Sequence, residues 1–304
     1  MKSNTEQIFT YLDGAAEKGD QLYLEQLVTA CRAWAEGKAA PDLQGEVAKE
    51  EIRRGLQLAI LKGMRQNVQP NHQMTPDAIG MLIGRIAELL TAGQEYIRIT
   101  DLAAGTGNLL FTVMNMMERP SSAAAVEIDE LLARLMAAAA DLLEQEAEIF
   151  VQDALRPLLI DPADLAVCDL PVGYYPDDDN GLNFEMMPAE GHAYAHHLFI
   201  EQTMKHLKEG AHGIFLVPSS LFESAQSGLL HTYLKKHTVI RAVLQLPSSL
   251  FKNAAQAKSI LILQKPSADK TAAPDVLLAN VPEMTDKQAM LSFFVKLEDW
   301  VQEG

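Results

Sequence analysis

The chain changes its hydrophobic pattern near residue 70. Residues 1–66 place apolar side chains such as Leu24 and Leu27 at helical spacing and show no strand-like alternation. Gly37–Pro41 interrupts this pattern, because glycine and proline end helices. We therefore predict a small N-terminal helical domain over 1–66 and a second domain over 67–304.

From residue 75 onward, short β-rich runs alternate with helical segments. Thr75 is predicted to cap a helix that has Pro76 as its first residue. The predicted strands are 96–101, 123–127, 148–152, 165–168, 213–217, 239–246 and 259–264. Further helices are predicted over 109–117, 130–144, 192–208 and 227–236. This alternation predicts an α/β fold with a doubly wound, mostly parallel, seven-stranded Rossmann-like sheet.

Four successive predicted strands end at or just before an acidic residue. These residues are Asp101, Glu127, Asp153 and Asp169. The carboxyl ends of parallel strands meet at one edge of a sheet, and ligands of open α/β sheets bind beyond that edge. The sequence therefore predicts a shared site that contains these four carboxylates.

A glycine-rich turn, Asp101–Asn108 (DLAAGTGN), leads from the first predicted strand into a helix. Gly105 and Gly107 allow positive φ angles and a close approach of the backbone to a ligand. The helix N-terminus that follows favours a polar or anionic group. The turn is not a dinucleotide fingerprint, since Leu110 stands where the third glycine is required. A tight turn without a ligand is the alternative interpretation.

The other strand-end acids each allow a binding interpretation and a simpler one. Glu127 lies about 20 residues after the turn, which suits a carboxylate that accepts both hydroxyls of a ribose; a solvated acid is the alternative. Asp153 suits an acceptor for the exocyclic amine of adenine, with the amide of Ala154 donating to a ring nitrogen; a helix cap is the alternative. Asp169, within the segment 169–175 (DLPVGYY), suits an acceptor that orients a nucleophilic amine; a Pro-Gly turn is the alternative.

The charge distribution argues against a protein that binds duplex nucleic acid alone. The formal net charge is −16, and residues 161–190 hold eight acidic side chains and no lysine or arginine. Proteins that bind nucleic acid normally present a basic surface, because phosphate contacts supply much of the affinity.

The composition also excludes several other classes. Two cysteines, Cys31 and Cys168, are too few for a disulfide framework or a zinc site. His192 and His196 have a spacing that can bind metal, but without a further ligand we expect a polar helix face and no metal. The sequence has no apolar run of membrane-spanning length and no secretory signal, so we expect a cytoplasmic protein without a membrane partner.

In this order, the motifs resemble those of S-adenosylmethionine-dependent methyltransferases. More narrowly, they resemble N6-adenine-specific DNA methylases and the modification subunits of type I restriction systems. The resemblance covers residues 70–265 and rests on QMTP at 73–76, DLAAGTG at 101–107, EID at 127–129, Asp153 and DLPVG at 169–173. A small group of uncharacterised bacterial adenine-methylase-like proteins is similar over the whole chain.

The resemblance implies S-adenosylmethionine as cofactor and a role for each motif. The residues expected near the methionine part of the cofactor are Thr75, Asp101, Ala103, Gly105, Gly107 and Asn108. Those expected to hold its ribose and adenine are Glu127, Ile128, Asp153 and Ala154. Asp169 is expected to touch both cofactor and acceptor, with Pro171 and Tyr174 as further catalytic residues. The implied reaction is direct transfer of a methyl group to a nucleophile.

The chain departs from the family motif N-P-P-(Y/F) at two positions. Leu170 replaces the first proline, and Val172 replaces the aromatic residue that stacks on a flipped base. Tyr174 or Tyr175 substitutes for that aromatic ring if the loop brings one of them over the substrate. Three hypotheses stay open: methylation of adenine in nucleic acid with the help of a basic partner subunit, methylation of a protein or small molecule, and a catalytically weak cofactor-binding module that works through a partner.

Overall fold

The fold combines N-terminal helices with one large mixed sheet. A computed structural model describes residues 3–18, 22–66, 74–267 and 275–303. Within these ranges the helices are α1 (Asn4–Ala16), α2 (Tyr23–Ala35), α3 (Lys49–Gln66), α4 (Asp77–Leu90), α5 (Asn108–Met116), α6 (Glu130–Leu143), α7 (Asp178–Gly181), α8 (Ala195–Lys205), α9 (Ser227–His237) and α10 (Lys287–Glu303). The strands are β1 (Ile97–Asp101), β2 (Ser121–Glu127), β3 (Glu146–Val151), β4 (Ala163–Asp169), β5 (Leu207–Pro218), β6 (Val239–Gln245), β7 (Lys258–Gln264) and β8 (Leu277–Asn280).

The strands form a single sheet in the order β3-β2-β1-β4-β5-β7-β6-β8. Each neighbouring pair from β3 to β5 is parallel, while β7 runs antiparallel to both β5 and β6. Buried clusters lie on both faces of the sheet, so the predicted doubly wound α/β class is confirmed. The eighth strand, Leu277–Asn280, lies at the edge of the sheet and was missed, because it has four residues and alternate positions are exposed.

The N-terminal segment is helical as predicted, and it is divided into three helices. Close packing of α1 and α2 against α3 depends on two glycines. A Cβ atom on Gly55 would lie 2.5 Å from Cγ2 of Ile8, and one on Gly63 would lie 2.4 Å from Cδ2 of Leu24. Of the three helices, α2 contacts α6, and α3 contacts both α5 and α6, so this segment docks directly on the sheet-containing part of the chain.

Two local predictions were wrong. Thr75 does not cap α4, because the extended residue Pro76 occupies the N-cap position and makes no side-chain cap bond. The predicted helix over 192–208 is shorter, spanning Ala195–Lys205. The chain turns at His206 and enters β5 at Leu207, whose backbone pairs with Ala163 of β4. Gln73, in the QMTP motif, lies outside the described residues.

Candidate functional site

The glycine turn joins the end of β1 to the start of α5 in a backbone conformation that requires glycine. Gly105 and Gly107 have φ angles of +57° and +77°, in the left-handed region that other residues rarely adopt. A Cβ atom on Gly107 would lie 2.5 Å from the Phe111 ring and 2.9 Å from Met136, whereas one on Gly105 would meet nothing within 4 Å. The turn is therefore packed on the Gly107 side and open on the Gly105 side.

Glu127, at the end of β2, is bound to this turn. Its Oε2 accepts a hydrogen bond from the amide of Gly105 at 2.7 Å, and its Oε1 accepts one from the amide of Asp129 at 2.9 Å. Each carboxylate oxygen has two lone pairs, so both oxygens keep the capacity to accept a hydroxyl. The neighbouring Ile128 is 70% exposed and offers an apolar surface next to this carboxylate.

Asp101 is a buried carboxyl group beneath the turn. Its Oδ1 accepts a hydrogen bond from the amide of Ala103 at 3.0 Å. Burial raises the pKa of Asp101 to about 7. The Ala103 amide and the Cys168 thiol oppose this rise, and the negative charges of Asp169 and Glu127 add to it. Burial likewise raises the pKa of the Cys168 thiol well above its ordinary value.

Asp153 is held by a buried tyrosine. Its Oδ2 accepts a 2.6 Å hydrogen bond from the hydroxyl of Tyr175, and its Oδ1 accepts one from the amide of Leu155 at 2.9 Å. The Tyr175 hydroxyl in turn accepts a bond from Asn180 at 2.9 Å. Burial, followed by the bond to Asp153, raises the pKa of Tyr175 to about 12. Tyr175 therefore fixes Asp153 from inside the core, while Ala154 is buried beside it.

Asp169, at the end of β4, binds two side chains from distant parts of the sequence. Its Oδ2 accepts a 2.8 Å hydrogen bond from the hydroxyl of Thr75, and its Oδ1 forms an ion pair with Lys258. Sequence reasoning missed Lys258. Its position follows from the antiparallel pairing of β5 and β7, in which Lys258 lies opposite Pro218, and a strand pattern alone does not specify that register.

The loop after Asp169 presents an aromatic stack instead of a single ring. Val172 is exposed, and Tyr174 is 61% exposed. The Tyr174 ring stacks on Tyr194 with a centroid distance of 5.0 Å and an interplanar angle of 18°. Tyr194 stacks in turn on His196 at 5.0 Å. The exposed aromatic ring of this loop is therefore Tyr174, and Pro171 beside it is also exposed.

The histidines do not form the polar helix face that the sequence suggested. His196 and His197 are buried at the start of α8, and burial lowers their pKa values to about 4 and about 3. His192 lies before the helix, where its Nδ1 is 2.9 Å from the carboxylate of Asp178. Within the described ranges, no group of three or more metal-binding side chains was found.

The structure brings most of the predicted residues together in three hydrogen-bonded sets. Gly105 and Glu127 contact each other directly, with Asp101 and Ala103 in the same turn. Thr75 contacts both Asp169 and Asn108, whose Nδ2 donates to the Thr75 carbonyl at 3.1 Å. Asp153 is tied to Tyr175 and to the loop that follows β3. Tyr174 lies on the outer side of its loop, packed against Tyr194.

A sheet of this order, with acidic side chains at the carboxyl ends of its parallel strands, defines a methyltransferase-like α/β fold. The model of the family described as N-6 DNA Methylase matches residues 69–294, and that of the YtxK N-terminal helical domain matches residues 3–64. The chain belongs to the N-6 DNA methylase family. It is 43% identical over 300 residues to the uncharacterized protein YtxK of Bacillus subtilis strain 168, covering 96% of this chain and 91% of that protein.

Solved structures agree with this assignment. A Listeria monocytogenes protein assigned to the class I S-adenosylmethionine-dependent methyltransferases has a TM-score of 0.89 and 38% identity, covering 98% of this chain and 99% of that one. The methyltransferase subunit of a type I restriction-modification system from Streptococcus thermophilus has a TM-score of 0.69 and 16% identity, covering 96% of this chain and 74% of that one. The second likeness is one of fold alone.

Proposed function

We propose that this chain is an S-adenosylmethionine-dependent methyltransferase whose acceptor is an amine, namely the exocyclic N6 amine of adenine in nucleic acid. The proposal rests mainly on the 2.7 Å hydrogen bond that the Gly105 amide donates to Glu127. It joins a glycine turn with an open face to a carboxylate that keeps acceptor capacity for two hydroxyls. Membership of the N-6 DNA methylase family supports the choice of acceptor.

The residues at the carboxyl edge of the sheet fit this cofactor. Glu127 accepts the ribose hydroxyls, and the exposed side chain of Ile128 covers a face of the adenine. Asp153 accepts a hydrogen bond from the exocyclic amine of that adenine, and the amide of Ala154 donates one to a ring nitrogen. The open side of Gly105 leaves room for the methionine part, with Asp101 beneath it. When bound, the cofactor supplies an electrophilic methyl group attached to a sulfonium.

On the acceptor side, the protein orients the nucleophile and stabilises its developing charge. Asp169 accepts a hydrogen bond from the acceptor amine, and the fixed carboxylate compensates the positive charge that the nitrogen gains on methylation. The Pro171 carbonyl and the exposed Tyr174 ring complete the acceptor site. Tyr174 offers the π-face that Val172 lacks, and stacking of this kind contributes about 1–3 kcal/mol per base.

We also infer the context in which the enzyme works. The acidic stretch 161–190 adjoins the acceptor side, so a basic partner subunit brings the nucleic acid to the site.

Residues 1–66 form a separate helical domain that docks on the methyltransferase domain, 67–304. The reaction takes place in the cytoplasm of a bacterial cell.

One observation favours a second candidate, a cofactor-binding module with weak catalysis. Lys258 is ion-paired with Asp169, and its ammonium occupies one oxygen of the carboxylate that would bind the amine. A cation at this point also opposes the positive charge that an acceptor nitrogen develops. In this candidate the chain binds cofactor and acts through a partner protein.

Transfer of a labelled methyl group separates the two candidates. The chain is incubated with tritiated S-adenosylmethionine and single-stranded DNA, duplex DNA, RNA or protein extract, and each fraction is counted. Methylation of adenine predicts label at N6 of adenine that is lost in Asp169→Ala. Cofactor binding without label above the Asp169→Ala background supports the second candidate, and label only in the protein fraction contradicts a nucleic-acid acceptor.

Replacement of Lys258 tests whether its ion pair with Asp169 restrains methyl transfer. Lys258→Gln frees Asp169 and removes the opposing cation, so methyl transfer should become at least about threefold faster if this ion pair restrains catalysis. Lys252→Gln, at an exposed lysine in the preceding loop, is the matched control and should leave the rate unchanged. A slower Lys258→Gln enzyme would mean that the lysine assists transfer.

A further inference from the structure

We propose that Arg53, in the N-terminal helical domain, is a positioning residue for both halves of the methyltransferase site. This inference rests on the proposed function, because it assigns to Arg53 the placement of the cofactor turn and of the acceptor carboxylate. An unbroken path of hydrogen bonds leads from Arg53 through Asn108 and Thr75 to Asp169. No element of the sequence pattern pointed to this residue.

The donor–acceptor distances along the path lie between 2.6 and 3.1 Å. Nη1 of Arg53 donates to Oδ1 of Asn108 at 2.6 Å, and Nδ2 of Asn108 donates to the Thr75 carbonyl at 3.1 Å. The Thr75 hydroxyl then donates to Asp169 at 2.8 Å. The orientation of the Asn108 amide is unambiguous, because a guanidinium can only donate and a carbonyl can only accept. Asn108 is thus held from both sides.

Arg53 is buried and is itself fixed by further hydrogen bonds. It is 3% exposed, and two of its nitrogens bind the two carboxylate oxygens of Glu50, each at 2.7 Å. Nη2 also donates to Asp77, at the start of α4, at 3.1 Å. Paired, bidentate bonds of this type are among the strongest in proteins. The guanidinium therefore ties α3 to the first residues of both α4 and α5.

From these attachment points we expect the loss of Arg53 to disturb the site itself, and not only the stability of the fold. Asn108 directly follows Gly107, so a shift of its side chain moves the turn that carries the Gly105 amide to Glu127. Thr75 holds Asp169 through its hydroxyl and Asn108 through its carbonyl. Without the Arg53 bond, Asn108 at the cofactor turn loses a fixed contact directly, and the acceptor carboxylate is affected only indirectly, through Thr75.

The adjacent arginine is a matched control. Arg54 also pairs with Glu50, at 3.0 Å, and lies 3.8 Å from Asp77. It is partly exposed and points to the same acidic pair, but its side chain donates to Glu50 and the sulfur of Met81 and not to Asn108. Replacing Arg54 therefore removes an ion pair of the same helix while the path to Asp169 stays intact.

The test compares Arg53→Met, Arg53→Lys and Arg54→Met in the full chain. Calorimetry with S-adenosylmethionine should show affinity about tenfold weaker in Arg53→Met, which corresponds to one lost charge-assisted hydrogen bond. Arg54→Met should stay within about twofold of wild type. Arg53→Lys should recover only part of the affinity, because an ammonium cannot form the guanidinium's planar set of bonds.

A double-mutant cycle isolates the contact itself. If Arg53 acts through Asn108, Arg53→Met should weaken affinity by less than about twofold in an Asn108→Ala background. An undiminished tenfold effect in that background, or equal losses in Arg53→Met and Arg54→Met, would overturn the proposal. Should Arg53→Met fail to fold, Asn108→Ala alone tests the path, because an unchanged affinity in it contradicts the proposal as well.

Hydrogen exchange of the ligand-free chain provides a readout that does not depend on the cofactor. The amides of 106–110 should exchange at least about fivefold faster in Arg53→Met than in Arg54→Met. If wild-type protein gives no heat with S-adenosylmethionine, the proposed function fails. The exchange result still decides the role of Arg53, since equal protection in the two variants would refute it.

Discussion

At the scale of single residues, the raised pKa of Asp101 makes the free energy of unfolding depend on pH. Its pKa is raised from an ordinary value of 3.8 to about 7, chiefly by burial. The folded chain therefore holds a proton that the unfolded chain releases between these two pH values. By linkage, the free energy of unfolding falls as the pH rises through this interval, and the contribution of Asp101 is most favourable below it.

Asp101→Asn tests this effect, because an amide does not titrate and still accepts the bond from Ala103. Relative to this variant, the wild-type chain should lose stability between about pH 4.5 and about pH 8. Urea unfolding of both proteins at the two pH values measures the difference. A difference that is constant, or that grows in favour of wild type at high pH, contradicts a raised pKa.

The sequence allowed prediction of the strand-end acids, but not of the partners that bind them. Asp101, Glu127 and Asp169 could be predicted because parallel strands bring their carboxyl ends to one edge. Lys258 could not, since its contact depends on the register of the antiparallel pair β5 and β7. Arg53 could not either, because its contact depends on how the N-terminal helices dock.

At the scale of elements, α1 and α3 pack through a glycine. A Cβ atom at Gly55 would lie 2.5 Å from Cγ2 and 2.7 Å from Cβ of Ile8, which is fully buried. Gly55→Ala should lower the free energy of unfolding by about 1–3 kcal/mol, the usual cost of overpacking.

Gly14→Ala is the control, because a Cβ at this position in α1 meets nothing within 4 Å. It should raise the free energy of unfolding by up to about 1 kcal/mol, since alanine favours helix more than glycine does. Urea unfolding measures both variants. Equal effects of the two substitutions would show that helix propensity, and not close packing, determines the role of Gly55.

The strands were predicted well where they are buried, and less well at the edges of the fold. The central strands are apolar and almost completely buried, so their composition identifies them. The edge strand β8 and the helix α10 were not predicted, and β8 is short with alternate positions exposed. Thr75 was misassigned as a cap because its hydroxyl binds Asp169, a partner 94 residues away.

At the scale of the whole molecule, the charge distribution disfavours binding of nucleic acid by the chain alone. The net charge is −16, and residues 161–190 carry eight acids and no lysine or arginine. Like charges should repel the phosphate backbone. At about 0.1 M salt, the chain alone should therefore bind a duplex oligonucleotide more weakly than about 10 µM, as measured by fluorescence anisotropy. Submicromolar binding would show that no basic partner is needed.

Among residues 3–18, 22–66, 74–267 and 275–303, no helix combines the length and the apolar composition of a membrane-spanning segment.

The proposed cofactor site lies at the carboxyl edge of the sheet, where Glu127 connects β2 to the glycine turn. Glu130, exposed at the start of α6, has the same charge and lies only three residues away. It provides the control for removing the carboxylate of Glu127.

Calorimetric titration with S-adenosylmethionine measures whether this edge of the sheet binds the cofactor. The wild-type chain should bind one cofactor with a dissociation constant of about 1–100 µM. Glu127→Ala should weaken binding at least about tenfold through the lost hydrogen bonds, and Glu130→Ala should change it less than about twofold. Absence of heat at about 1 mM cofactor, or wild-type affinity in Glu127→Ala, would contradict the assignment of this edge as the cofactor site.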